Sequence, residues 1–410
     1  MTFPTLPIRR VFKVVNGGTP TPDADNWGGE ISWATPADFG AQFSHLKHTR
    51  RTLTSTGAST GSTIVPAGSL LVSTRAPIGY VAINSKAMAF NQGCRALVPR
   101  ALCDTRLFGY QLEARTRDLQ AEGFGTTFTE LSSDKLGSFH VTVPPLEEQR
   151  RIADFLDAET AHIDQLTAKR SRMQGLLQLK RERFIESTLG LERESKHHSL
   201  VPLKYLVADV TVGIVITPAK WYVESGGTPA LRGTNVKPGS IDASELVHIS
   251  AAGDTENAKS RLKTGDVVVV RTGQAGAAAV VPSDLDGSNC IDLIIVRPGM
   301  RVDPEYLEYV LNSDYSRARV SEHSVGSIQA HFNVGAMKEI PIPSLPVSEQ
   351  KQIVTRLRTE VGSLDLLKQK LARQNTLLAE RRQALITAAV TGQFDVSTAS
   401  GRNVTDGVNA

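Results

Sequence analysis

Two stretches of this chain, Leu146 to Leu189 and Val347 to Val390, contain no proline and only one glycine each. Apolar residues recur in them every seven positions. The second stretch has Leu357, Leu364, Leu371, Leu378 and Leu385; the first, shifted by 201 residues, has Leu156, Ile163, Leu177 and Phe184, with Arg170 in the remaining slot. A seven-residue period held this long predicts a coiled-coil helix. Leu166, Met173 and Leu367 are expected to fill the rest of the seam, and Glu159, Arg170, Lys180, Gln374 and Arg381 to interrupt it and fix its register. At 1.5 Å per residue, about 40 residues make a rod of roughly 60 Å.

Both rods open alike, on PPLEEQRRI (Pro144–Ile152) and LPVSEQKQI (Leu345–Ile353), which set Gln149 and Gln350 201 residues apart. Proline closes the preceding strand and is tolerated at a helix start. Glu147 and Glu148, or Ser348 and Glu349, supply a cap and negative charge at the positive end of the helix. One such segment is an ordinary helix start. Two, each opening a heptad rod, belong to an internal repeat.

The repeat reaches upstream. GSLLVSTRAPIG (Gly68–Gly79) aligns with GDVVVVRTGQAG (Gly265–Gly276) at an offset of 197, and GFGTTF (Gly123–Phe128) matches VGSIQA (Val325–Ala330) with Gly125 over Gly326, at 201. Cys94 and Cys290 are expected in matching strands. GGTP occurs at Gly17–Pro20 and Gly226–Pro229, out of step at 209, and reads as loop chemistry rather than a phosphate cradle. The expected domains are globules at 1–145 and 199–345, rods at 146–190 and 346–392, a linker at 191–198 and a flexible tail at 393–410. Each globule carries short β-rich runs cut by glycine and proline, plus one amphipathic helix, near 104–120 and 304–320. The order globule, rod, globule, rod predicts an α/β (α+β) fold: two similar globular domains separated by two long antiparallel coiled-coil helices about a pseudo-twofold axis.

The net charge of +4 is too small for binding by bulk charge, and it is uneven: +4 over residues 1–145, −3 over 199–345, +3 over 346–410. Nucleic-acid binding would have to rest on local patches. The chain has no apolar run of membrane-spanning length and no signal-like start, so a cytoplasmic protein without a membrane partner is expected. Its three cysteines form no CxxC pair, so neither disulfides nor a metal site is expected. There is no GxxxxGK[ST] phosphate loop.

Two unequal heads on a rigid spacer suit DNA, whose readable face repeats each helical turn of about 34 Å. In this arrangement the chain resembles the specificity subunit of type I restriction–modification systems. The resemblance runs to about Phe394. It is carried by PPLEEQRRIADFL and PVSEQKQIVTRL, LLVSTRAPIG and VVVVRTGQAG, NQGCRALVP, and the domain-opening ISWATPADF (Ile31–Phe39) and PALRGTNV (Pro229–Val236). It implies two target-recognition domains that bind a bipartite, asymmetric site in double-stranded DNA. The spacer would set the gap and dock two methyltransferase subunits, and restriction subunits would join them. Catalysis would lie outside this chain: S-adenosylmethionine with the methyltransferases, ATP and Mg with the restriction subunits, no cofactor and no metal here. A coiled-coil scaffold whose heads bind proteins, a specificity subunit of a related phage-defence methylation system and a self-contained enzyme remain as alternatives.

Candidate DNA-contacting residues are polar or aromatic groups in matching loops. The first head offers Thr35, Arg75, Gln92, Phe124, Thr126 and Thr127, with Lys47, Arg50 and Arg51 as a basic cluster suited to phosphates. The second offers Arg232, Thr234, Asn235, Arg271, Gln274, Ser327 and Gln329. Any one of them could equally be a solvated surface side chain, and Arg75 could simply brace a turn.

Overall fold

In each half, the short β-rich runs pair into two larger sheets, beside smaller two-stranded ones. A computed structural model describes residues 3–123, 130–191, 199–324, 332–394 and 396. It divides into two units, Met1–Arg170 with Arg373–Ala410, and Ser171–Ala372. The division falls within both long helices, Leu146–Leu189 and Val347–Thr391, termed here the central and distal rods.

In the first unit a five-stranded sheet has the order Phe12–Asn16, Cys94–Pro99, Leu70–Ser73, Val81–Asn84, Ser44–Leu46. A second sheet has the order Arg51–Leu53, Trp27–Ala34, Met88–Phe90, Thr63–Val65, and its two middle strands are parallel. Leu70, Leu71 and Val72 are all fully buried, as a strand packed on both faces requires. In the second unit Asp209–Val212, Leu293–Arg297, Val267–Val270 and Ala278–Val280 form one sheet. Tyr222–Val223, Val247–Ile249, Thr228–Leu231 and Asn289–Cys290 form the other, in which the last two strands are parallel.

This pairing corrects one expected match. Cys94 opens the strand beside Leu70–Ser73, whereas Cys290 lies on the parallel strand equivalent to Met88–Phe90. The counterpart of Cys94 is Leu293, which pairs with Val270. The repeat is held by strand pairing, so two cysteines can share a spacing without sharing a strand.

The expected single helix of each head is broken in two: Thr105–Ala114 and Thr116–Ala121, then Pro304–Leu311 and Asp314–Ser324. Arg115 leaves helical geometry in the first head. In the second, Asn312 turns to the neighbouring strand, accepting the Ala278 N–H at 3.0 Å and donating to its carbonyl at 2.8 Å.

The rods run antiparallel within each unit. In the first, Asp164 meets Arg382 and Phe155 meets Phe394; in the second, Gln174 meets Lys368 and Arg181 meets Asp365. Each head core extends into both helices. Ile152, Leu156, Ile163, Leu385 and Ile386 join the core of Phe12, Leu70, Leu97 and Phe108. Ile185, Leu189, Val354, Leu357 and Val361 join that of Val267, Ile294, Tyr306 and Leu307. Leu364 is also buried, whereas Leu177, Phe184, Leu371 and Leu378 are half-buried. A two-helix seam covers one stripe, and burial is complete only where a head packs on it as well. Met173 and Leu367 do not fill the seam: they are 52% and 48% exposed. Gln174, Gln178 and Arg181 face the distal rod instead, bonded to Lys368 and Asp365, and this turns Met173 outward.

The buried glutamines of the rod starts have a defined task. Gln149 Oε1 accepts the N–H of Asp104, N-cap of the first head helix, at 2.9 Å, while its Nε2 donates to Pro144 O at 2.8 Å. Gln350 repeats this with Asp303 N at 2.7 Å and Leu345 O at 2.8 Å, and adds Arg301 O at 3.0 Å. Replacing either by methionine keeps the volume and strands a buried donor and acceptor. We expect a loss of about 1–3 kcal/mol for each stranded group, read by urea denaturation.

Glu308, on the second head helix, accepts the Val280 N–H at 2.8 Å, and burial pushes its carboxyl up to about 7. Its contribution to stability is complete below the ordinary glutamate value and is lost as the pH rises through the raised one. Glu308→Gln keeps an acceptor and buries no charge. It should melt above the parent at about pH 8, with the gap narrowing towards about pH 5.

Candidate nucleic-acid interface

In the second head the loop after Thr228–Leu231 begins at Arg232. Asn235 closes it, accepting the Arg232 N–H at 2.9 Å and donating to Asp242 O at 3.0 Å and Glu245 O at 3.2 Å. Asn235 is 4% exposed, so its amide shapes the loop and is not offered to a ligand. The loop forms one wall of a cleft of about 670 Å³. Arg232, Thr234, Lys237, Thr272, Gln274 and Asp292 line it. Thr234 and Gln274 are exposed, and the Arg232 Nε is buried with no partner among the described residues.

The opposite wall is the turn after Val267–Val270. Gly273 and Gly276 take positive φ there, a conformation that needs glycine. Arg271, expected as a free donor, is instead clamped. Its Nε donates to Phe332 O at 3.1 Å and its Nη1 to Asp292 Oδ1 at 2.6 Å.

The first head repeats the loop closure with other residues. Asp38 Oδ2 accepts both the N–H and the hydroxyl of Thr35 at 2.7 Å, and Oδ1 accepts the Arg50 N–H at 2.7 Å. The Thr35 hydroxyl is therefore engaged. Arg51 lies flat on Trp27 with its guanidinium carbon 3.6 Å from the ring centre, and Trp27 meets Trp33 edge-on. Lys47 and Arg50 are exposed, and neither side chain has a partner among the described residues. Arg75 pairs with Glu130 at 3.1 Å, which also binds Arg95 at 3.1 Å, yet half of its side chain is open to solvent. Gln92 is exposed and accepts the Thr19 hydroxyl. Phe124, Thr126, Thr127, Ser327 and Gln329 lie outside the described residues. Where the described chain continues beyond them, both heads are pinned at the same place, by Leu131 N to Thr74 O at 2.9 Å and Phe332 N to Arg271 O at 3.1 Å.

Burial pushes the Cys103 thiol up to about 11, and raises those of Cys94 and Cys290 further, so none is a reactive thiolate. Among the described residues no cluster of three or more His, Cys, Asp or Glu could hold a metal, and no helix is long and apolar enough to cross a membrane.

The model of the family described as the type I restriction modification DNA specificity domain matches residues 3–172 and 224–373. The chain belongs to this family. Over 176 residues it is 31% identical to the MjaIX specificity subunit of Methanocaldococcus jannaschii, covering 42% of this chain and 40% of the relative. Over 335 residues it is 22% identical to the EcoBI specificity subunit of Escherichia coli, covering 73% and 68%. The first match thus takes in only two fifths of the relative's length. Among solved structures, a chain from a type I restriction–modification system studied for its complex assembly and conformational transition gives a TM-score of 0.78 at 17% identity, covering 96% of this chain and 98% of that one. The HsdS subunit of Thermoanaerobacter tengcongensis gives 0.52 at 17%, covering 96% and 97%. These likenesses show the fold.

Within this specificity-family chain, sequence reasoning missed Lys237, Thr272 and Asp292. Aligning the parallel strands finds the last: Asp292 follows Cys290 by two residues, as Gln92 follows Phe90. Removing the clamp by Arg271→Ala should cost the second unit about 1.5–3 kcal/mol by urea denaturation, the value of a charged hydrogen bond.

Proposed function

We propose that the chain is the DNA-binding specificity subunit of a type I restriction–modification complex. Each head reads one half of a bipartite, asymmetric site in double-stranded DNA, and the rods set the nonspecific gap. Two methyltransferase subunits dock on the rods, and restriction subunits complete the assembly. Methyl transfer with S-adenosylmethionine and cleavage driven by ATP and Mg belong to those partners, and this chain contributes binding.

The observation that carries this reading is the cleft of the second head. Arg232, Lys237, Thr234 and Gln274 line it from a loop pair, and one buried guanidinium nitrogen lacks a partner among the described residues. Such groups meet base edges and phosphates. The first head's Gln92, Arg75, Lys47 and Arg50 come from its corresponding loops. Met173, Leu176 and Leu179, each more than half exposed on one side of the central rod, support docking of a partner helix.

The deciding experiment co-expresses the chain with a methyltransferase subunit and maps methylated bases across a genome. Two half-sites at a fixed separation are expected; a single contiguous motif, or random methylation, would sink the reading. One heptad inserted in both rods should change the tolerated gap. Lys47→Ala and Arg50→Ala should weaken specific and random DNA alike, and each should reduce the salt slope by about 0.9.

A further inference from the structure

The segment after Asp209–Val212 leaves the second head beside its cleft. Ile214 N donates to Cys290 O at 2.8 Å, and Ile214 O accepts the N–H of Asp292, a cleft residue, at 3.0 Å. The next two residues, Val215 and Ile216, are 47% and 81% exposed. Thr217 follows at φ 41°, a left-handed conformation that a β-branched residue rarely adopts. Strain of this kind persists where the surroundings impose it, and it gathers at binding sites. Here the strained residue directly follows two exposed apolar side chains, one and two residues beyond Ile214, which bonds the cleft residue Asp292.

The first head shows what this position is for. Gly17 and Gly213 are equivalents: a Cβ on either would meet the backbone carbonyl of the matching parallel strand, Phe90 O at 2.6 Å or Cys290 O at 2.5 Å. From that anchor Thr19 corresponds to Val215, Pro20 to Ile216, and the step Thr21-Pro22 to Thr217-Pro218. In the first head Thr19 bonds Gln92, so the site presents a hydroxyl and an amide. In the second, Val215 stands where Thr19 does, and Ile216 is exposed where its counterpart Pro20 is buried. A polar pair suits hydrogen-bonding base edges. An apolar pair suits the one apolar group on the edge of a base, the 5-methyl of thymine in the major groove.

We propose that Ile216, supported by Val215, is a specificity-determining contact to a thymine methyl group in the half-site read by the second head. This rests on the DNA-binding reading above. The neighbouring cleft supplies polar contacts, and Ile216 selects thymine over cytosine, which lacks the methyl.

The test uses the complex of the full chain with its methyltransferase subunit and duplexes carrying the mapped site. Each thymine is replaced in turn by deoxyuridine, which removes only the methyl. One position in one half-site should lose about fourfold in affinity, the value of one buried methyl-sized group. In the Ile216→Ser complex that position should bind thymine and deoxyuridine equally, and the other half-site should be unchanged. Equal sensitivity in the parent and Ile216→Ser, or a second-head half-site without a sensitive thymine, overturns the inference and leaves the DNA-binding reading standing. A parent complex with no sequence preference overturns that reading instead. If Ile216→Ser releases the methyltransferase subunit, the residue is a protein contact and the inference fails.

Discussion

A buried carboxamide carries the junction between each head and its rod. Gln149 and Gln350 are 4% and 2% exposed, and each bonds on both sides. The acceptor takes the N-cap N–H of the head helix, which no helical carbonyl can reach. The donor takes the carbonyl just before the rod, which the strand–helix turn would leave orphaned. Neither a charge nor an apolar side chain supplies both functions. With the two helix starts locked together, the head sheet, the head helix and the rod share one core. The loops that line the second head's cleft are positioned from that core.

Around the junction lie charges that reinforce it differently in the two units. Arg106 bonds Asp104, Asp154 and Asp157 and so joins head helix to central rod. In the second unit Arg358 of the distal rod pairs with Glu305. Deeper in the first unit Glu113 meets Arg382, each 5% exposed, and Asp164 meets the same guanidinium at 3.4 Å. Burial raises the Glu113 carboxyl, and Arg382 pulls it back. The second unit keeps Arg181 with Asp365 and puts neutral Asn312 where the first has Glu113. The repeat preserves geometry more strictly than charge.

Much of this was legible in the sequence, for physical reasons. Heptads, helix starts and the order of strand-like runs follow from local periodicity, and they predicted the rods and the β-rich heads; the division into sheets came only with the strand pairing. Seam positions were less legible, since Met173 and Leu367 satisfy the period while polar bonds between Gln174, Lys368, Arg181 and Asp365 decide the rotation of the helices. The candidate site was legible as loops and not as individual contacts. Asn235, Arg271 and Thr35 look like free polar groups in sequence, yet each is occupied by a backbone or carboxylate partner, within its own loop for Asn235 and Thr35 and distant in the chain for Arg271. Lys237 and Asp292 gave no local signal, because strand pairing brings them to the cleft.

The sharing of one core by a head and two rods has a consequence for synthesis. The first head's core includes Leu385, Ile386, Ala389 and Val390 of the distal rod. At about 5–20 residues per second, the ribosome needs on the order of 10–50 s to travel from the first head to those residues. Throughout that interval Ile152, Leu156 and Ile163 are made but lack the distal-rod side of their core. The first head is synthesised first and completed last.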